Sequence, residues 1–365
     1  MKRTLAIVLA LCMIFALCAC GGAAPANEEK APAASEAPAT NEAPATNEAP
    51  AEGGLDALDP VTIVFATPNA NANIESEYAQ KWIAAVEEQS GGKITFDYTD
   101  SGALGNYEEL LEGTVNGIYD LTITEPSYIE TYVPEASLLS LPMLYSSYEE
   151  ADWILDGEVG QWFNEKCSNA GIEVLNYFYC GFRYIISENE ITSLDTAKNV
   201  IIRSPNIQTY LDTLQMLGFK CETMSFSDAY TAMETGVISA VECPLQNLYS
   251  TGYYQLCPYL LGSRHMFSAN SIVANEAFWA NLAPEYKEIM LSALADITVE
   301  ERTECAARED QFLADFAEKG TTFNEFDDES KAAIVEMFSE YWTEKVATLG
   351  DEAVSMLNLI IEHKG

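Results

Sequence analysis

The stretch from Val61 to Thr124 reads VTIVFATPNANANIESEYAQKWIAAVEEQSGGKITFDYTDSGALGNYEELLEGTVNGIYDLTIT. VTIVFA (Val61–Ala66) is an apolar run fit for a buried strand. Ser76–Gln89 places Ala79, Ile83 and Val86 at helical spacing and is stopped by Gly91-Gly92. KITFDY (Lys93–Tyr98) alternates as a second strand, and LTIT (Leu121–Thr124) is a third. Between them, Asn106–Asn116 sets Leu110, Leu111 and Val115 on one side, a helix closed by Gly117. Repeated strand–helix units with short glycine-marked joints predict a mostly parallel α/β sheet. Ligands in such sheets sit beyond the carboxyl ends of the strands. Glu125, directly after the third strand, is therefore a candidate site residue; a solvated loop acid is the plainer reading in a chain with 57 acids.

A second α/β series follows Gly171. Ile172–Tyr177, Arg183–Ser187, Val200–Arg203 and Lys220–Thr223 read as strands, with helices at Ile207–Leu217 and Phe226–Thr235. Ser227-Asp228 is the helix-entry signal for the latter. A long acidic helix is predicted over Pro284–Lys319 and a last helix over Asp328–Leu349.

Toward the N-terminus the pattern changes. MKRTLAIVLALCMIFALCAC (residues 1–20) has a basic start and an apolar middle too short to span a bilayer, and reads as a secretory signal over residues 1–19. Its Leu-Cys-Ala-Cys end followed by Gly21-Gly22 resembles the bacterial lipobox, which makes Cys20 the expected lipidation site and puts the chain at the outer face of the cell membrane or in the periplasm; a plain secreted protein cleaved near Ala19 is the competing reading. Residues 20–58, with the hexamer ATNEAP twice in succession, carry too little apolar bulk to fold and read as a disordered tether.

The 365 residues have a net charge of −39, with 18 basic and 57 acidic residues. Such a chain is repelled by phosphate backbones and anionic headgroups, which excludes a nucleic-acid binder. An anionic ligand needs a local positive feature, and only six arginines exist: Arg3, Arg183, Arg203, Arg264, Arg302 and Arg308. Cys167, Cys180, Cys221, Cys243, Cys257 and Cys305 form no CxxC pair, and the only histidines are His265 and His363, so neither a metal site nor a cofactor is expected.

Seven further pieces, in order, carry a resemblance: SGGKI (Ser90–Ile94), SGALG (Ser101–Gly105), NGIYDL (Asn116–Leu121), LPMLY (Leu141–Tyr145), GFR (Gly181–Arg183), NVIIRSPN (Asn199–Asn206) and TMSFSDAYTAMETGVISAVECP (Thr223–Pro244). Together they resemble the solute-binding subunit of tripartite ATP-independent periplasmic (TRAP) transporters, the DctP type. The resemblance implies a two-lobe periplasmic-binding-protein-like α/β fold with a hinge and a long connecting helix. Expected lobes are residues 59–180 plus 269–308, and 181–268 plus 309–365. It implies a binding protein and not an enzyme, which captures an organic acid and delivers it to membrane permease subunits.

The family's main contact is an arginine in a strand of the form K-(I/L)-R-V-P, matched here by Arg203 in Ile202-Arg203-Ser204-Pro205. A guanidinium meets a carboxylate with two parallel charge-assisted hydrogen bonds. Arg183 matches a second family arginine in a G-x-R motif. For both, burial against one of the many acids is the competing reading. Asn206, Phe226, Glu125, Tyr107 and Tyr128 align with other family pocket positions. In the family's VDGQENP segment Cys243 stands where an asparagine commonly bonds the ligand carboxylate, and a thiol is a weak donor. Cys243, Tyr107 and Tyr128 thus point to an aromatic or apolar monocarboxylate, with sugar acids and dicarboxylates as the alternatives.

Two rival readings compete. An ABC-type lipoprotein binding protein shares the exported two-lobe plan but not the arginine motif. A secreted hydrolase would need a nucleophile motif or a histidine with a positioned partner, and no GxSxG occurs.

Overall fold

The computed structural model describes residues 54–364. The signal, the Cys20 lipidation site and most of the tether lie outside the described residues. Eleven strands occur among the described residues: β1 (Val61–Ala66), β2 (Ile94–Thr99), β3 (Leu121–Thr124), β4 (Ile172–Val174), β5 (Phe178–Ser187), β6 (Ile201–Ser204), β7 (Lys220–Thr223), β8 (Ala240–Pro244), β9 (Tyr259–Leu261), β10 (Phe267–Asn275) and β11 (Thr322–Asn324). They run in the order β2-β1-β3-β10-β5-β8-β6-β7, with β4 beside β10, β9 beside β5 and β11 on β9.

The sequence predicts a mostly parallel sheet; the observed one is mixed. β1 pairs in parallel with β2 and β3, and β6 with β7 and β8. β5 and β10 run antiparallel to every neighbour. Each half is therefore a parallel βα unit, and two long antiparallel strands carry the chain between them. β10 escapes a sequence reading because its FSANSIVAN has no clean period of two: eight of its nine residues are buried.

The helices start where short polar side chains can cap them. Asn106 accepts from the Glu109 N–H while the Glu109 carboxylate takes the Asn106 N–H, a reciprocal cap. At Phe226–Glu234 the cap is Ser225, not the Ser227-Asp228 pair expected: its hydroxyl accepts from the Asp228 N–H. The helix expected to be the last ends at Ala347, and a further helix, Asp351–Lys364, follows it.

Pro284–Glu318 is one helix of 35 residues, roughly 50 Å long at 1.5 Å per residue. It packs along the helix Ile74–Gln89, from Met290 to Arg308, and also on β5 and on the helix Leu245–Ser250. The Trp82 indole, fully buried, donates to the Met290 carbonyl at 2.9 Å, and Phe316 meets the rings of Tyr249 and Tyr254. A single continuous helix thus packs on elements of both halves. Among the described residues the apolar core falls into a large cluster including Phe65, Trp82 and Phe163, a smaller one including Ile185, Ile202, Leu214, Phe326 and Phe338 under β6, and a minor one of Ile207, Tyr210 and Met266. The C-terminal helix returns to the first half, where His363 stacks on Trp153 at 3.8 Å and Lys364 pairs with Glu150 at 2.7 Å.

The β5–β10 ladder slips by one residue at Ser268/Ala269, leaving Cys180 unpaired in a bulge. Gly181 follows with φ of +88°, and a Cβ there would lie 2.7 Å from the Tyr148 hydroxyl. That hydroxyl is fixed by a 2.7 Å bond to Glu309 on the long helix. Gly181→Ala should therefore destabilise the fold by about 2 kcal/mol, from the left-handed backbone and the displaced tyrosine together. Chemical denaturation measures it, and a loss below about 0.5 kcal/mol would show that the bulge relaxes freely.

Candidate functional site

Arg203 is the third residue of the four-residue strand β6, near its carboxyl end and between β7 and β8. It is 3% exposed. Its Nε donates to the Met224 carbonyl at 3.0 Å, and the guanidinium lies 5.7 Å from the centre of the Phe226 ring. Among the described residues no carboxylate lies within 4.0 Å of it. The other four described arginines all have one: Arg183 with Glu242 and Glu125, Arg264 with Glu309, Arg302 with Asp152 and Asp156, Arg308 with Glu77 and Glu304.

Arg183, in the middle of β5, is buried and fully engaged. Nε donates to Glu242 Oε2 at 2.5 Å and Nη2 to Glu242 Oε1 at 2.9 Å, a bidentate pair. Nη1 donates to the Ser268 hydroxyl at 2.7 Å and lies 3.4 Å from Glu125 Oε1. The Tyr210 ring sits 4.9 Å from the guanidinium carbon. The acid-paired reading of Arg183 is thus the one the structure realises.

Glu242 is fully buried on β8. Burial alone would raise its carboxyl, yet the Arg183 charge and the hydrogen bonds from the Arg183 guanidinium hold it down at about 2. His265 Nε2 lies 3.5 Å from Glu242 Oε2, beyond a well-formed hydrogen bond, and its Nδ1 faces the Ser263 hydroxyl at 2.8 Å. Burial drives the His265 imidazole below its ordinary value, so at neutral pH it is uncharged.

Glu125 caps the turn Pro126–Ile129 after β3, and it accepts from the Tyr210 hydroxyl at 2.8 Å and the Ser127 hydroxyl at 3.1 Å. Tyr107 and Tyr128 stack at 4.7 Å with ring planes 13° apart. The Tyr107 hydroxyl donates to Asn69 Oδ1 and accepts from Asn270 Nδ2 at 3.3 Å. Burial lifts both phenols well above their ordinary values, and the Arg203 and Arg183 charges draw Tyr128 partly back. The same two charges act on Cys243, whose thiol burial nonetheless pushes up to about 12. Cys243 is therefore a neutral thiol, 3.9 Å from Arg183 Nη2.

The sequence-predicted residues thus gather in two linked groups, Arg203 with Phe226 and Arg183 with Glu125 and Cys243, with Tyr128 in the field of both arginines. Asn206 is exposed, three positions beyond Arg203 in the chain. Sequence reasoning missed Glu242, Tyr210, Ser268, Asn69 and Asn270. The available signal for Glu242 was one acid inside the otherwise apolar run Ala240–Pro244, all of it buried.

Known proteins share this fold. Residues 65–348 match DctP, bacterial extracellular solute-binding protein, family 7. A solute-binding protein of Roseobacter denitrificans is 29% identical, over 65% of this chain and 73% of that protein. The C4-dicarboxylate-binding protein of Bacillus subtilis is 25% identical, over 66% of this chain and 69% of its own. The crystal structure of the sugar acid binding protein of Advenella mimigardefordensis in complex with galactonate is 26% identical, with a TM-score of 0.79, covering 84% of this chain and 99% of that one. The fold is the two-lobe α/β plan of these binding proteins, realised here as a parallel unit on either side of two antiparallel strands. With the family match spanning most of its length, the chain belongs to the DctP family of TRAP-type extracellular solute-binding proteins.

Proposed function

We propose that the chain captures an organic acid by docking its carboxylate on Arg203, and that its two halves then close and present the acid to TRAP permease subunits in the membrane. Arg183 plays a different part from Arg203: it is a buried strut that holds Glu242 and Glu125 together. The observation that carries the reading is a nearly fully buried guanidinium with no carboxylate within 4.0 Å among the described residues, in a chain with 57 acids. Burying a charge without a counter-ion is unfavourable, and an anionic ligand removes the penalty. Closure then follows from differential affinity, because the closed form excludes water from the ion pair. Lipid on Cys20 would keep the protein at the outer face of the membrane.

The ligand proposed is an aromatic or apolar monocarboxylate. The stacked Tyr107–Tyr128 pair, the Phe226 ring and the neutral Cys243 thiol support it, since they offer flat apolar faces and only weak donors. Isothermal titration calorimetry against aromatic monocarboxylates, sugar acids and C4-dicarboxylates tests both levels. Binding of sugar acids or dicarboxylates alone overturns the ligand class; binding of no carboxylate overturns the function. Cys243→Asn should strengthen binding of hydroxylated or dicarboxylic acids about fivefold, the effect of one added hydrogen bond of about 1 kcal/mol. The same titrations measure it, and unchanged affinity for every such acid would place Cys243 away from the ligand.

A further inference from the structure

Tyr253 opens the short turn Tyr253–Gln255, directly after Gly252. Gly252 has φ of +84°, and the reversal it allows delivers the Tyr253 ring to the core, where it is fully buried. The ring meets Phe226 edge to face at 6.1 Å and Tyr230 at 5.5 Å. Phe226 is also the ring beside the Arg203 guanidinium, at 5.7 Å. Tyr253 and Arg203 therefore share one aromatic neighbour. Among the described residues the Tyr253 hydroxyl has no hydrogen-bond partner. A hydroxyl buried without a partner is unfavourable, and its retention calls for a physical reason.

The surroundings of that hydroxyl decide what satisfies it. Burial lifts the phenol above its ordinary value, the Cys243 thiol adds to the rise, and the Arg203 charge draws it partly back. Arg203 itself uses only Nε within the protein among the described residues, on the Met224 carbonyl, so its two Nη groups are also left to donate. The phenol O–H and the guanidinium N–H groups are donors, and the thiol is a weak one. Donors gathered without an acceptor are complementary to an anion. We propose that Tyr253 is a specificity-determining residue of the solute site, its hydroxyl donating to the carboxylate that docks on Arg203 in place of the amide that an asparagine at position 243 would supply. The inference rests on the reading that Arg203 binds a solute carboxylate. A carboxylate has lone pairs for about four donors, so a phenol O–H adds to a two-point guanidinium contact without displacing it.

Tyr253→Phe removes the hydroxyl and keeps the ring. The probes are benzoate, galactonate and succinate, titrated calorimetrically, with scanning calorimetry of the solute-free protein beside them. Affinity for each acid that the parent binds should fall about tenfold or more, the effect of one lost hydrogen bond to a charged group. The solute-free variant should melt as high as the parent, or about 2 °C higher, because a hydroxyl without a protein partner has left the core. A hydroxyl that merely packs, or that is hydrogen-bonded in the empty protein, predicts the reverse: a lower melting temperature and unchanged affinity. An affinity loss below about threefold overturns the proposal, and so does melting more than about 2 °C below the parent. Arg203→Ala, run in parallel, separates the proposal from the functional reading. If Arg203→Ala loses binding while Tyr253→Phe keeps it, Tyr253 lies off the carboxylate and only the proposal falls. If the parent binds none of the three acids, the functional reading falls and the proposal falls with it.

Discussion

Arg203→Ala is expected to weaken binding of the cognate acid by about 100-fold or more, near 3 kcal/mol, while the solute-free protein melts within about 2 °C of the parent. The first half of that expectation follows from a desolvated, two-point guanidinium–carboxylate pair, whose truncation costs about 2–5 kcal/mol. The second half follows from what Arg203 does not hold. Among the described residues its one side-chain hydrogen bond is Nε to the Met224 carbonyl, so its loss strands no carboxylate. Loss of Arg302 would strand Asp152 and Asp156, and loss of Arg183 would strand Glu242 in the core. Arg203→Lys keeps the charge but not the planar fork, and should lose about tenfold or more. Calorimetry for binding and scanning calorimetry for melting separate the two effects. An Arg203→Ala protein that binds like the parent removes this residue from the site.

Much of this was legible from residues 61–124, where glycine-marked joints separate strands and helices of different period, and the five elements there fall close to where the pattern put them. The arginine strand was legible too, because it carries a family motif on a strand of the expected period. What was not legible depends on contacts between distant segments. β10 is buried on both faces and so shows no alternation, which hid one of the two strands that make the sheet mixed. Glu242 lies 59 residues from Arg183 in the chain, and Glu130 lies 79 from Thr209. No local pattern couples such pairs; only the crossing of β5 beside β8, and the docking of Gln208–Met216 against the turn after β3, bring them within bonding distance. The division of labour between two arginines twenty positions apart is likewise invisible until one is seen to be paired and the other not.

Glu242→Gln should destabilise the protein by about 3 kcal/mol at neutral pH, and it should do so without removing any volume from the core. The glutamine can still accept one hydrogen bond from Arg183, but it cannot neutralise it. The guanidinium is then left buried with Glu125 at 3.4 Å as its remaining carboxylate, and breaking one side of a buried ion pair costs about 3–5 kcal/mol. The pH dependence identifies the cause. Glu242 titrates near 2 in the fold against an ordinary 4.5, so its contribution is fully present above about 4.5 and is lost as pH falls through about 2. Stability differences between parent and variant should therefore shrink on acidification across that window. A variant that lost stability equally at pH 2 and pH 7 would show that packing, and not the charge pair, is what Glu242 supplies. His265 does not confuse the test, since burial keeps it neutral at pH 7 and its closest approach to Glu242 is 3.5 Å. The variant also asks a functional question. With Glu242 neutral, Arg183 becomes a second cation in the field that already acts on Cys243 and Tyr128, so dicarboxylates should gain affinity relative to monocarboxylates. In the native protein the internal carboxylate of Glu242 occupies that cation, so on the proposed reading Arg203 is the guanidinium left to meet a solute carboxylate.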